Sequence, residues 1–263
     1  MVKDGVSPNA IAIHTLYEIV FWVAVFVFIA VEGALIVAIW RFRAKKHPVA
    51  NQTHGNTRVE LGLTAGAALI LVILATATFI KLPAIIDPPN SDASATEVLS
   101  ASTEVPKPPN GQVLNVCVLG RQFIWKYTYG DGCNKDYFSK RLPYSYTQMV
   151  VPVGVTVRLT VQSSDVTHAW WIPQLGGKVD AEPGYTVYTW FKALRTGTFL
   201  GQCAQLCGRG HAFMVAQVKV VSPAEYRTWL SQQAQYIAGQ NAQVTELRQL
   251  LIKQGYLTSS GNF

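Results

Sequence analysis

Two stretches of this chain carry almost no charge, and they constrain its fold more than any other feature. From Ile11 to Trp40 there are two acidic residues, Glu18 and Glu32, and no lysine or arginine; from Leu61 to Ile80 there is no charged residue at all. Each run meets the length of about 20 mainly apolar residues needed to cross a bilayer. A backbone in hydrocarbon must satisfy its own hydrogen bonds, so each run is expected as a helix. The spacing predicts the first over roughly 13–40 and the second over roughly 60–82, ending at Leu82-Pro83. The first is too long for a secretory leader and lacks a basic start followed by a short core and a small-residue cleavage site. An apolar share of 49% with only 14% charged residues agrees with the membrane class.

The loop between the two runs orients them. Arg41, Arg43, Lys45, Lys46 and Arg58 stand there against Glu60 alone. Positive loops stay in the cytoplasm, so both termini and everything after the second helix are expected outside, on a cell (plasma) or inner membrane. The domain layout expected is a two-helix hairpin over 1–86, a Pro/Ser/Thr-rich linker over 87–110, a β-domain over 111–222 and a helical extension over 223–263.

The β-domain is read from short β-branched and aromatic runs bounded by glycines: 113–118, 123–129, 147–151, 155–161, 186–191 and 214–221. Such runs without alternating helices indicate a β-sandwich or small barrel. Ser222-Pro223-Ala224-Glu225 then supplies a helix cap, a proline at the first helical position and a capping-box acid; the helix that follows is expected to break at Gly239. From Ala101 onward there are 15 Lys+Arg against 8 Asp+Glu, while residues 1–100 balance at 7 and 7, so the net charge of +7 belongs to the second half. Outside a membrane this excludes nucleic acid as the natural partner and bears on the charge of a protein partner.

Cysteines in such a domain ordinarily pair. For Cys117 and Cys133 two readings stand: one straight strand over 117–129 would hold them too far apart, and a bend near Gly120 would bring them together. Cys203 and Cys207 differ, because His211 and Met214 follow at short intervals. One thiolate, one imidazole and one thioether in a loop suit a mononuclear copper site. A second cysteine allows two thiolates to bridge two copper ions, each then needing one more strong ligand. His211 supplies one; His168, besides His211 the only histidine of the β-domain, supplies the other. Met214 and the backbone carbonyl of Gln205 are placed as weak ligands. A tetrahedral zinc site needs the same cysteines and histidines but leaves Met214 without a purpose.

The pattern Cys203-x3-Cys207-x3-His211-x2-Met214, with Asp165-Val-x-His168 and Lys178-x-Asp180-Ala-x-Pro183-Gly184 before it, closely resembles subunit II of the haem–copper oxidases, the cytochrome c oxidase subunit that carries the CuA centre. The resemblance covers nearly the whole chain. It implies a transmembrane hairpin followed by an all-β cupredoxin domain and a C-terminal helix. It also implies a binuclear CuA centre that takes electrons from cytochrome c, or a similar donor, and passes them to haem in subunit I, where oxygen becomes water and protons are pumped. Other oxidase subunits are the implied partners, and the oxygen-reducing site lies outside this chain. His54-Gly55-Asn56-Thr57-Arg58-Val59-Glu60 looks like the family segment that holds an acid at a proton-path entry, which falls on Glu60. An interfacial acid at a helix start is the plainer account of that residue.

The chain also departs from the family pattern. A glutamate usually stands at position 205 and offers its carboxylate to magnesium; Gln205 lacks that charge, which counts against magnesium here. The aromatic segment reads Gly120-Arg121-Gln122-Phe123-Ile124-Trp125, so electron entry falls on Phe123, where the family has tryptophan, and on Trp125. The rival functions are the copper subunit of a haem–copper nitric oxide reductase and a membrane-anchored copper-delivery protein.

Overall fold

The computed structural model describes residues 5–46, 49, 54–93, 100–101, 106–130, 142–254 and 256. The chain divides into two compact units, one of Ala12–Ile85 and the other of Met1–Ile11 with Ile86–Phe263.

The first unit is helical. Helices α1 (Pro8–Arg41) and α2 (Thr57–Ile86) are each long and apolar enough to cross a membrane. Large side chains such as Trp22, Phe26, Leu71 and Phe79 stand exposed on them, and a helix apolar all round belongs in lipid. Several polar groups within are satisfied locally. His14 pairs with Glu18 at 3.3 Å, and the hydroxyls of Thr76 and Thr78 donate to the carbonyls of Val72 and Leu74. Trp40 ends the first span with Arg43 and Lys46 stacked on its ring, an arrangement suited to a membrane interface. Pro83 does not end the second helix; α2 runs three residues further, to Ile86.

The second unit is a β-sandwich. Its strands among the described residues are β1 (Ser100–Ala101), β2 (Gln112–Arg121), β3 (Ile124–Tyr129), β4 (Tyr144–Tyr146), β5 (Gln148–Pro152), β6 (Thr156–Ser163), β7 (His168–Trp170), β8 (Val179–Ala181), β9 (Val187–Lys192), β10 (Gly197–Gln202) and β11 (Val215–Val221). One sheet runs β4-β3-β2-β6-β9, with β1 also on β2; a second runs β10-β11-β5; β7 and β8 form a short ribbon. The pairs β2–β6 and β5–β11 are parallel and the rest antiparallel. Where the sequence allowed one straight strand over 117–129, the chain turns at Gln122-Phe123 and folds β3 back on β2, with Cys117 opposite Thr128. Cys117 is disulfide-bonded and Cys203 and Cys207 are free; Cys133 lies outside the described residues.

Between the sheets, Trp125, Tyr127, Met149, Leu159, Phe191 and Val218 are buried in one apolar core. Tyr127 and Tyr129 place their polar ends on partners, as the cost of an unpaired buried hydroxyl favours, whereas the buried Tyr226 hydroxyl has none. Trp170 Nε1 donates to Tyr127 Oη at 3.2 Å, and Tyr129 Oη accepts from the Val150 amide at 2.8 Å, joining the two sheets. Burial raises the pKa of both phenols. Helix α3 (Pro223–Lys253) begins with the expected capping box between Ser222 and Glu225 and docks by Tyr226 and Trp229 against Tyr129. It passes Gly239 unbroken, where an added Cβ would meet open space.

Strand β9 is an edge of the large sheet, and chain from both sides of the helical unit covers it. On one side, Asn9 Nδ2 donates to the Trp190 carbonyl, the Lys192 amide donates to Ser7 Oγ and the Leu194 amide to the Val6 carbonyl. On the other, Trp190 Nε1 donates to the Ile86 carbonyl, while Lys192 Nζ donates to the Asn90 carbonyl and pairs with Asp92, each at 2.8 Å. The polar lead of the sequence thus packs as part of the β-unit, with Val6, Ser7 and Asn9 buried.

Candidate metal centre

The last two strands set up the site. β10 and β11 are antiparallel neighbours with Gln202 opposite Val215, so the twelve residues from Cys203 to Met214 form the loop that joins them. Its base is closed by the Cys203 amide, which donates to the Met214 carbonyl at 2.9 Å. The next amide, Ala204, donates to the Ala169 carbonyl at 2.9 Å and so ties the loop to β7, where His168 begins the strand. A 3-10 turn over His211–Phe213 brings the chain back toward the cysteines.

The five side chains then meet. Cys203 Sγ lies 3.9 Å from Cys207 Sγ and 4.0 Å from His168 Nδ1. Cys207 Sγ lies 3.5 Å from His211 Nδ1 and 3.9 Å from Met214 Sδ. Cys203 Sγ also lies 3.3 Å from the Gln205 carbonyl oxygen. His168, both cysteines and Met214 are buried, while His211 is partly exposed. His168, Cys203 and Cys207 bring their ligand atoms within 4.8 Å of one another, a spacing suited to a shared metal. The Cys207 thiol is a poor acid: burial, then the neighbouring Cys203, pushes it up to about 11. Metal binding at this pair would therefore displace protons.

A second layer of groups fixes the histidines. Asp165 Oδ1 accepts from His168 Nε2 at 2.9 Å, which puts the ring proton on Nε2 and leaves the Nδ1 lone pair aimed at Cys203. Asp165 is held in turn by the amides of Gln122 (2.7 Å) and Val166 (2.7 Å). Its partial burial raises its pKa, but the hydrogen bonds from Gln122, His168 and Val166 outweigh that and hold the carboxyl below the usual range. Gln122 also donates from Nε2 to the Cys207 carbonyl at 2.6 Å, linking the β2–β3 turn to the loop. Gly120 leaves room for the imidazole, since a Cβ there would sit 3.0 Å from both His168 Cδ2 and Trp125 Cζ3. The sequence assigns Asp165 and Gln122 no role and Gly120 only that of a bend; a carboxylate three residues before a ligand histidine is the available signal.

The remaining candidates lie apart. Trp125 is fully buried, edge-on to His168 at 5.8 Å. Phe123 is 37% exposed, its ring against the loop where added Cβ atoms at Gly208 and Gly210 would meet it at 3.3 and 2.5 Å. Of the two, only Phe123 reaches the surface. Glu60 sits in the helical unit, exposed at the head of α2, where its Oε1 accepts from the Asn56 amide at 3.1 Å and Asn56 Oδ1 caps the amides of Arg58 and Val59. The Lys178–Asp180 pair of the quoted motif is a half-exposed ion pair at 2.9 Å beside β8.

Two apolar helices and a β-sandwich, whose last loop brings two thiols, an imidazole and a thioether to the His168 imidazole at the head of β7, define a two-span membrane protein with a candidate soft-metal site in its β-domain. Two family descriptions match the chain: "Cytochrome C oxidase subunit II, periplasmic domain" over residues 114–221 and its "transmembrane domain" over 1–80. The chain is 31% identical to cytochrome c oxidase subunit 2 of Cereibacter sphaeroides over 262 residues, covering 88% of this chain and 78% of that one. It is 28% identical to the probable cytochrome c oxidase subunit 2 of Rickettsia bellii over 251 residues, covering 90% and 86%. The crystal structure of the periplasmic domain of subunit II of cytochrome oxidase of Bradyrhizobium japonicum is 34% identical, with a TM-score of 0.43, over 47% of this chain and 95% of that one. The chain belongs to the cytochrome c oxidase subunit II family. It is accordingly a component of a haem–copper terminal oxidase, an oxidoreductase, with two membrane spans and an extracytoplasmic β-domain.

Proposed function

We propose that this chain is the electron-entry subunit of a proton-pumping terminal oxidase, holding a binuclear copper centre that receives electrons from cytochrome c or a similar donor for transfer to haem in subunit I. The observation that carries this reading is the convergence of Cys203, Cys207, His168, His211 and Met214, with the Gln205 carbonyl, at one buried point. A donor set of thiolate, imidazole and thioether is soft and suits copper over harder ions. Bound there and held by Cys203, Cys207, His168, His211 and Met214, two copper ions would supply a one-electron store.

The chain's own groups prepare that store. Cys203 and Cys207 would give up their protons and hold the copper as thiolates. Asp165 keeps the His168 proton on Nε2, so Nδ1 is free without rearrangement. The closure of the loop by Cys203 and Met214 keeps the donor atoms in place between oxidation states. Phe123 receives the donor at the surface, and Trp125 packs beside His168 on the inner side. Glu60 takes protons from the cytoplasmic side. The basic loop at Arg41–Lys46 on that side, and the packing of Val6–Asn9 onto the β-domain, support both termini lying outside. The copper-delivery alternative calls for an accessible, labile site, whereas four of these five ligand side chains are buried.

Copper per chain, with optical and EPR spectra of the purified oxidase, tests the proposal. Two coppers beyond the copper held by subunit I, and a hyperfine pattern from two equivalent nuclei, are expected. A single blue copper, or zinc in its place, would overturn it.

A further inference from the structure

The surface over the candidate metal site is basic and aromatic. Three segments contribute to it: the turn and strand at 120–130, strand β4 with its flanks at 142–149, and the loop at 204–213. They hold Arg121, Lys126 and Arg209 and contain no Asp or Glu. Arg121 and Arg209 are exposed, the latter between the two glycines on which the Phe123 ring rests. Along the β3–β4 ribbon, Lys126 lies opposite Tyr146 and places Nζ 4.5 Å from the Tyr144 ring centroid. Tyr146 is 51% exposed and lies within electrostatic reach of Arg121. Of the carboxylates beside it, Asp165 has both oxygens committed to Gln122, Val166 and His168, Asp180 is paired with Lys178, and Glu182 is exposed one residue beyond Ala181, the cross-strand neighbour of His168.

We propose that this face docks an electron-carrier protein whose contact surface is acidic, Arg121 and Arg209 engaging carboxylates around an apolar contact on Phe123. The inference rests on the electron-entry function above and specifies its donor. Like charges facing one another slow encounter, and complementary ones speed it by tenfold or more at low salt. A lysine-rimmed donor is the poorer fit.

The test uses the whole oxidase and one soluble c-type haem protein in two forms, native with a lysine-rich face and with those lysines succinylated. Stopped-flow reduction of the copper centre is followed against ionic strength. The succinylated form is expected to react about tenfold faster at low salt and to slow as salt rises, the native form to do the reverse. The double variant R121E/R209E, with its copper content and spectrum checked, should exchange the two orders. Faster reaction of the native form with the wild type, or an unchanged order in the variant, would overturn the proposal. An uncharged small reductant separates the two levels. If it reduces the wild-type centre while neither protein shows a charge preference, the docking inference falls alone; if it finds no reducible centre, the function falls too and takes this inference with it.

Discussion

Asp165 holds the Nε2 edge of His168 at 2.9 Å and thereby decides which nitrogen of that ring faces the cysteines. The same carboxylate accepts from the Gln122 amide, so one residue sets the tautomer of a candidate ligand and anchors the turn that carries Phe123. Loss of such a partner commonly lowers metal affinity by about 10–100-fold. Asp165→Ala is expected to weaken copper binding by that factor, measured by competition with a chelator, while the far-ultraviolet spectrum is unchanged.

Gly120 is the neighbour that makes room for this ring. A methyl at that position meets His168 and Trp125 at 3.0 Å, and neither ring can yield inside a packed core. Overpacking of this kind costs about 1–3 kcal/mol. Gly120→Ala should lower the denaturant midpoint of the β-unit accordingly and reduce copper loading in parallel.

Met214 separates packing from ligation. It is fully buried, so its side chain contributes volume as well as sulfur. Leucine keeps most of that volume and costs less than about 1.5 kcal/mol. Met214→Leu is therefore expected to fold nearly as well as the wild type but to shift the reduction potential and make the two copper nuclei inequivalent by EPR. An unaltered spectrum would remove Met214 from the ligand set.

Lys192 ties the edge strand β9 to the segment that follows α2. Its ammonium is largely buried and bonds Asn90 and Asp92, each at 2.8 Å. Hydrogen bonds to a charged group contribute about 1.5–3 kcal/mol. Lys192→Met keeps the aliphatic stem and should lose stability in that range, with faster proteolysis at residues 87–93 as the direct readout.

The cap of α3 gives a pH dependence of known sign. The Glu225 carboxylate accepts from the Ser222 amide and hydroxyl, and the backbone bond first, then the side-chain bond, lowers its pKa from 4.5. A depressed carboxyl stabilises the fold fully above the ordinary value and loses that contribution as pH falls through the folded one. Ser222→Ala should cost about 1 kcal/mol at neutral pH, and the difference from wild type should narrow below pH 4.5 in calorimetric scans.

The parts legible from sequence are those with strong local pattern. Both spans announce themselves by unbroken apolar runs, and strands such as β2, β6 and β11 by dense β-branched residues. The candidate ligands were legible because four of them fall within twelve residues. The ribbon β7–β8 was not, since three-residue strands carry no period. Strand β10, Gly197–Gln202, mixes glycine and polar residues and owes its state to its register with β11. Pro83 reads as a helix end, but a missing amide is tolerated in a membrane helix. The burial of Val6, Ser7 and Asn9 could not be inferred locally, because their partners lie on β9, far along the chain.

Asn9 and Trp190 are separated by 181 positions yet share a hydrogen bond. The β-unit therefore includes chain synthesised before the first span and chain synthesised long after the second, and the helical hairpin is in effect an insertion within it. Its earliest segment must wait, unpartnered, until most of the polypeptide has been made and moved across the bilayer. Assembly of this subunit is thus gated by its last strands: a nascent chain stalled before β9 has nowhere to dock its own beginning, and the loop that gathers the sulfurs and imidazoles comes later still.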